Sequence, residues 1–339
     1  MLKLFEEYKI KNMTLRNRIV MPPMCNYQAG QDGLPLFFHY CHYSVRSQGG
    51  AGLVIVEAAG VTPEGRISDH DLGIWSDSHT AGLRDLTEIC HKNGSKIAIQ
   101  LNHAGRKSEV TGRIPLAPSA IAFSDASPVP EELSIAQIKE IAAAFAAAAR
   151  RADEAGFDAL EIHSAHGYLI HQFLSPITNR RTDEYGGSLE NRTRLLKEIL
   201  TEIRKVWPGQ KPLWIRVSAS DYAVGGVNVN MIVDIIKSVR SYIDLVHVSS
   251  GGLLPLGVRS YPGYQVPFAA KIRKDCGLPT IAVGLITDEN LSEEILQNGR
   301  ADLIAVGRQL LADPYWPIRI AVKNNIPGYV PKPYERAFR

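Results

Sequence analysis

Cysteine is scarce in this chain, with four among 339 residues. Cys25, Cys41, Cys90 and Cys276 stand singly, and no C-x-x-C joins any two. A zinc ribbon and an iron–sulfur cluster both lack their ligand spacing. Reduced thiols in a cytoplasmic protein are the expectation. Net charge is nearly absent as well: 38 Lys and Arg against 35 Asp and Glu leave +3. That gives no support for a nucleic-acid or anionic-membrane partner. No run approaches the roughly 18 apolar residues of a membrane-spanning helix. Met1–Lys11 alternates charged and apolar residues and lacks the apolar stretch of a signal peptide. There is no low-complexity segment, and no internal repeat of about 20–50 residues is apparent. There is no G-x-G-x-x-G after the first strand and no G-x-x-x-x-G-K-[ST]. A Rossmann dinucleotide site and a P-loop are therefore disfavoured.

What is present is an ordinary globular composition. Hydrophobic residues make up 45% and charged residues 22%, which excludes a disordered chain and allows a large core. At about 150 residues per domain the length suggests two domains. A single (β/α)8 barrel takes about 250 and leaves the rest for insertions and termini. Eight short Val/Ile/Leu-rich runs read as strands: Arg18–Met21, Leu53–Glu57, Lys96–Leu101, Ala159–His163, Leu213–Val217, Leu245–Val248, Thr280–Val283 and Leu303–Val306. Most are continuous rather than alternating, as strands buried on both faces of a parallel sheet are. Amphipathic segments lie between them, at Pro35–Gln48, Thr80–Lys92, Ser134–Ala155, Ser188–Val206, Asn228–Ser241, Gln265–Lys274 and Asp288–Gln297. Ser134 and Gln137 have capping-box spacing, and Gly156 falls where a left-handed helix end belongs. The pattern predicts an α/β fold with one domain over residues 1–339, a TIM (β/α)8 barrel. A Gly- and Pro-rich cap insertion at about 104–133 follows strand 3. An extended C-terminal arm occupies about 326–339.

Chemistry in such a barrel sits at the C-terminal ends of the strands. Strand 1 ends in Met21-Pro22-Pro23-Met24-Cys25-Asn26-Tyr27, strand 2 in Glu57-Ala58 and strand 3 in Gln100-Leu101-Asn102-His103. Gly284, Gly307 and Arg308 follow strands 7 and 8, where barrels commonly hold a phosphate. The glycines allow close backbone approach, and the guanidinium offers a bidentate fork. From spacing alone, the glycines can equally be mere turns. His163, His166 and Tyr168 follow strand 4. Two imidazoles and a phenol suit an oxygen that gains negative charge. A metal would need a third ligand, and Glu161, two residues earlier, lies deeper in the barrel; no metal is expected. Arg216 ends strand 5, where it either stabilises an anionic ring or phosphate or pairs with a carboxylate such as Glu161. Gln100 offers a donor and an acceptor for the edge of a pyrimidine-like ring. Cys25 is open to three readings: a nucleophile, a tuner of redox chemistry, or a buried small residue.

These residues stand in a recognisable pattern. "LRNRIVMPPMCNY", "QLNHAGRK", "EIHSAHGYLIHQFLSPITNRRTDEYGGSLENRTR", "IRVSASD", "YPGYQVPFA" and "NGRADLIAVGRQLLADP" run through essentially the whole chain. The chain resembles the Old Yellow Enzyme family of flavin-dependent ene-reductases, in its cysteine-containing bacterial branch of NADPH dehydrogenase and xenobiotic reductase type. The resemblance implies a bound FMN, with NADPH or NADH as reductant. Pro22, Pro23, Met24 and Cys25 would line the flavin, and Ala58 and Gln100 would contact its ring. Arg216 would stabilise the reduced anionic ring, and Gly284, Gly307 and Arg308 would hold the phosphate. His163 and His166 would bind a substrate carbonyl oxygen, Tyr168 would donate the proton, and Tyr27 would be a second phenol at the site. Cys25 would then tune the flavin. Lys107 also matches a family position. Arg336 would reach a neighbouring subunit's site in a homodimer or homotetramer. Asn102 departs from the family's usual small residue.

The function implied is reduction of the C=C bond of α,β-unsaturated carbonyls or related activated alkenes. Three rivals are weaker. A Schiff-base aldolase needs an inward lysine at a strand end, and none of the eight ends offers one. A metal hydrolase needs a fuller His and carboxylate set. A binding protein on a barrel scaffold has no use for so many polar residues at the strand ends.

Overall fold

In the computed structural model, residues 2–338 are described; Met1 and Arg339, the two ends of the expected domain, lie outside them. The chain opens with a hairpin of β1 (Tyr8–Ile10) and β2 (Met13–Leu15). Eight strands then close a parallel barrel: β3 (Ile19–Met21), β4 (Leu53–Gly60), β5 (Lys96–Asn102), β8 (Ala159–Ser164), β9 (Leu213–Ser218), β10 (Leu245–Ser249), β11 (Thr280–Ala282) and β12 (Leu303–Ala305). All eight expected strands are there, within a few residues at their ends. The continuous apolar runs have the expected cause. Val54 and Val56 face the surrounding helices, while Leu53 and Ile55 fill the barrel interior with Ala98, Trp214, Leu245, Ile281 and Leu303.

Helices cover the outside: α1 (Phe37–Gln48), α2 (His79–Lys92), α3 (Ile135–Glu154), α4 (Leu169–Leu174), α5 (Leu189–Val206), α6 (Val229–Val239), α7 (Val266–Cys276), α8 (Glu289–Gln297), α9 (Arg308–Ala312) and α10 (Trp316–Lys323). The Ser134 hydroxyl accepts from the Gln137 backbone at 3.3 Å, and Gln137 Oε1 accepts from the Ser134 backbone at 2.9 Å. The box therefore satisfies two otherwise orphaned donors. Gly156 takes φ +90°, which ends α3 in a conformation a side chain disfavours. The short α4, α9 and α10 have too few turns to show a period. For α10 a start signal was present, since Pro317 sits in its first turn.

The cap from 104 to 133 is pinned rather than loose. β6 (Leu116–Ala117) pairs in parallel with β7 (Glu131–Glu132). Arg181 donates to the carbonyls of Pro118 at 3.1 Å and Leu133 at 2.6 Å. Arg106 donates to Ala122 at 3.0 Å and, across the mouth, to Leu253 at 2.6 Å. The C-terminal arm first docks through Tyr329, whose hydroxyl donates to the Arg16 carbonyl at 2.8 Å. Its last part is not extended: Lys332–Phe338 winds into a 3-10 helix. Pro331 and Pro333 hold φ near the value such a turn needs.

Candidate active site

The strand ends meet at one rim. Pro22, Pro23, Met24, Arg216, Gly284, Gly307 and Arg308 line a cavity of about 230 Å³. Ser249, Tyr264, Gln265, Thr287 and Gln309 also line it. The structure thus brings the residues after strands 1, 5, 7 and 8 together. Gly284 has φ +132°, and a Cβ there would meet the Gln265 backbone nitrogen at 3.2 Å. A Cβ on Gly307 would meet Met24 Sδ at 3.4 Å. Both glycines keep backbone bare beside the Arg308 side chain, as an anion cradle requires.

Arg216 is buried, and its Nε has no hydrogen-bond partner among the described residues. The ion pair with Glu161 that the sequence left open does not form. Glu161 is fully buried and already holds three N–H donors, each at 2.7 Å: Gln100 Nε2, Trp214 Nε1 and His247 Nδ1. An unpartnered buried guanidinium nitrogen beside a cavity is costly unless a ligand meets it. The cavity therefore fits an anionic or acceptor-rich guest.

Beside the cavity stands a second wall. His163 and Arg216 are register neighbours on β8 and β9. His163 Nδ1 accepts from the Ala165 backbone at 3.2 Å, which leaves the proton of the neutral ring on Nε2. That Nε2 lies 3.4 Å from His166 Nδ1. His166 Nε2 lies 2.8 Å from the Ser249 hydroxyl, which also lines the cavity. Burial, and then the Arg216 cation, hold both imidazoles well below their ordinary value. Both rings are neutral at neutral pH and each has one N–H to give. His166 takes φ +58°, strained for a side-chain-bearing residue. The turn is clamped by Lys107 Nζ on the His166 carbonyl at 3.1 Å and by the Gly167 amide on His171 Nδ1 at 2.9 Å.

Tyr168 packs edge-on against His163, with ring centroids 4.8 Å apart. It joins Cys25 in an apolar patch on Ala58, Ile67 and Ala104. Burial, with Cys25, Tyr27 and Asp71 nearby, raises the phenol well above its ordinary value. Tyr168 keeps its proton. Burial, then Asp71 and Glu57, push the Cys25 thiol up too, which removes the thiolate a nucleophile needs. Tyr27, with φ +54°, stands next to Cys25 and is pushed up to about 12 by burial first. Ala58 is the register neighbour of Gln100, just past a bulge at Glu57. The bulge sends Glu57 outwards, where its carboxylate accepts from Tyr43 at 2.8 Å and from the Asn26 backbone at 3.2 Å. It thereby fixes the loop that carries Cys25 and Tyr27. Asn102 is buried, and its Oδ1 has no partner among the described residues. Arg336 does not join this rim. It is exposed and borders an apolar groove with Tyr315, Ile318 and Tyr334.

The family model described as NADH:flavin oxidoreductase / NADH oxidase matches residues 3–326. The chain belongs to this family. The chain is 59% identical to the NADPH dehydrogenase of Clostridium acetobutylicum over 338 residues, covering 99% of this chain and 100% of that one. The NADPH dehydrogenase of Bacillus subtilis is 53% identical, with 99% of each covered. Among solved structures, morphinone reductase superposes with a TM-score of 0.83 at 29% identity, over 95% of this chain and 90% of that one. The Old Yellow Enzyme homologue of Zymomonas mobilis gives 0.82 at 29%, over 95% and 93%. A 2-naphthoyl-CoA reductase gives 0.89 at 27%, over 94% of this chain; the chain spans 52% of that longer one. The protein is an Old Yellow Enzyme-type oxidoreductase, flavin-dependent and using NAD(P)H. Among the described residues, no helix is long and apolar enough to cross a membrane.

Sequence reasoning passed over Ser249, although period two on the sixth strand puts it two residues beyond inward-facing His247. It also missed Tyr264, Gln265 and Thr287, which come from loops without a period to follow.

Proposed function

We propose that this oxidoreductase is an ene-reductase, taking NADPH as donor and an α,β-unsaturated carbonyl or similar activated alkene as acceptor. Bound FMN would supply the two-electron chemistry, accepting a hydride from the nicotinamide and passing one to the alkene. In the proposal Gly284, Gly307 and Arg308 hold its phosphate, and Arg216 faces the ring. Pro22, Pro23, Met24, Cys25, Ala58 and Gln100 line it. His163 and His166 hold the substrate carbonyl oxygen, and Tyr168 gives its phenolic proton to the α-carbon. Tyr27 flanks the substrate, and Cys25 acts on the flavin as a neutral thiol.

The observation that carries this reading is one wall with two neutral imidazoles and a protonated phenol, next to a cavity that carries an unpartnered cation. Neutral donors suit an oxygen that becomes enolate-like, and a phenol of raised pKa keeps its proton until a strongly basic carbon forms. The unit that acts is the barrel over 1–339, with Arg336 entering a neighbouring copy's site. An anaerobic titration with NADPH and then 2-cyclohexen-1-one tests the proposal. Bleaching of a flavin band in the blue by NADPH, and its return with the enone, is expected. Bleaching that the enone does not reverse would sink the alkene assignment.

A further inference from the structure

Glu161 takes no part in the chemistry above, yet it sits directly beneath it. It lies two residues before His163 on β8 and is fully buried, in register with Gln100 on β5 and Trp214 on β9. Gln100 Nε2 meets its Oε1 at 2.7 Å, while Trp214 and His247 meet its Oε2 at the same distance. The indole can only donate. The ionised carboxylate can only accept; burial works against its charge, but His247, Arg216 and the Trp214 donor outweigh that and hold it below the ordinary carboxylate value. The direction of the Gln100 contact therefore follows from chemistry and not from how the amide was placed. Its NH2 must face Glu161. Its Oε1 makes no hydrogen bond among the described residues, and β5 ends two residues later, at Asn102.

We propose that Glu161 is a positioning residue: it holds the Gln100 amide by its NH2 so that only an acceptor faces the mouth, and the site thereby selects a ring that presents an N–H there. The inference rests on the FMN reading of the site. The oxidised isoalloxazine carries one ring N–H, at N3, between two carbonyls. A free glutamine could satisfy this edge with either end. One held by Glu161 reads N3–H alone. Without the carboxylate the amide can turn, offer NH2 to a ring carbonyl and lose that discrimination.

The test is an equilibrium titration of apoprotein with FMN and with N3-methyl-FMN, using wild type, Glu161→Gln, Gln100→Leu and the double variant. The ratio of the two affinities is the readout, since general loosening lowers both together. The expected result is a fall in FMN preference of roughly three- to tenfold in Glu161→Gln, the contribution of one net hydrogen bond. A similar fall is expected in Gln100→Leu, with no further fall in the double variant. An unchanged ratio in Glu161→Gln, or additive losses in the double variant, would overturn the proposal. A second readout needs no variant. In wild type loaded with 15N-labelled FMN, N3–H should exchange slowly with solvent; exchange as fast as in free FMN would overturn it. Wild-type apoprotein that binds neither flavin would instead bring down the FMN reading itself.

Discussion

Removing one oxygen from Tyr168 should separate the two halves of the catalytic cycle. The phenol is half-buried, lies against His163 with ring centroids 4.8 Å apart and packs on Ala58, Ile67 and Ala104. Tyr168→Phe keeps that ring and its apolar contacts, so the fold and the cavity should survive. What is lost is a proton held first by burial, with Cys25, Tyr27 and Asp71 nearby. A general acid of this kind contributes about 10²–10⁴ in rate. Stopped-flow reoxidation by 2-cyclohexen-1-one should slow by that factor, while reduction by NADPH should change only a few-fold. Because the Tyr168 phenol stays protonated across the neutral range, the wild-type alkene step should show no loss from its ionisation between pH 6 and about 9. Alkene reduction by Tyr168→Phe within threefold of wild type would refute the reasoning, as would equal slowing of both half-reactions.

Other perturbations act on separate parts of the site. His163→Ala removes a neutral donor and should cost the alkene step about 10²–10³-fold, far more than flavin reduction; stopped flow reads both. Arg308→Ala should weaken FMN binding to apoprotein about tenfold or more, with the difference shrinking in high salt; an unchanged fluorescence titration would remove Arg308 from the phosphate site. Deleting residues after Pro333 should weaken alkene binding without affecting FMN loading, if Arg336 serves a neighbouring copy; an unchanged KM for the enone would reject this. Glu57 is held at about 7, above the ordinary 4.5, chiefly by burial. The native state therefore favours its protonated form, and about 3 kcal/mol of stability is lost as pH rises from 4.5 to about 7. Urea midpoints should fall more from pH 5 to 8.5 in wild type than in Glu57→Gln, and parallel profiles would contradict the assignment.

The barrel was legible because strands buried on both faces leave continuous apolar runs, and eight such runs with helical spacers leave few architectures open. The site was legible for a related reason: in this fold a residue's place at a strand end already puts it at the mouth. His163, Arg216, Gly284 and Gly307 were placed at the rim this way, although spacing alone left the glycines equally open as turns. The short helices α4, α9 and α10 escaped because their few residues cannot display a period. Direction and partnership were not legible either. An ion pair between Arg216 and Glu161 stayed open beside the anion-stabilising reading, since opposite charges on nearby inward positions usually attract. Only the structure shows that the carboxylate's lone pairs are already taken by three N–H groups. The bulge at Glu57 is a comparable case. One extra residue sends a carboxylate away from the mouth and onto the loop that carries Cys25, and a period-two reading cannot see a place where the period slips. A strand's sequence tells which side chains face inward only where its period holds. How the partners are shared is decided by neighbours about 14 to 86 residues away along the chain, so the functional tuning of this site lies in contacts that local pattern does not encode.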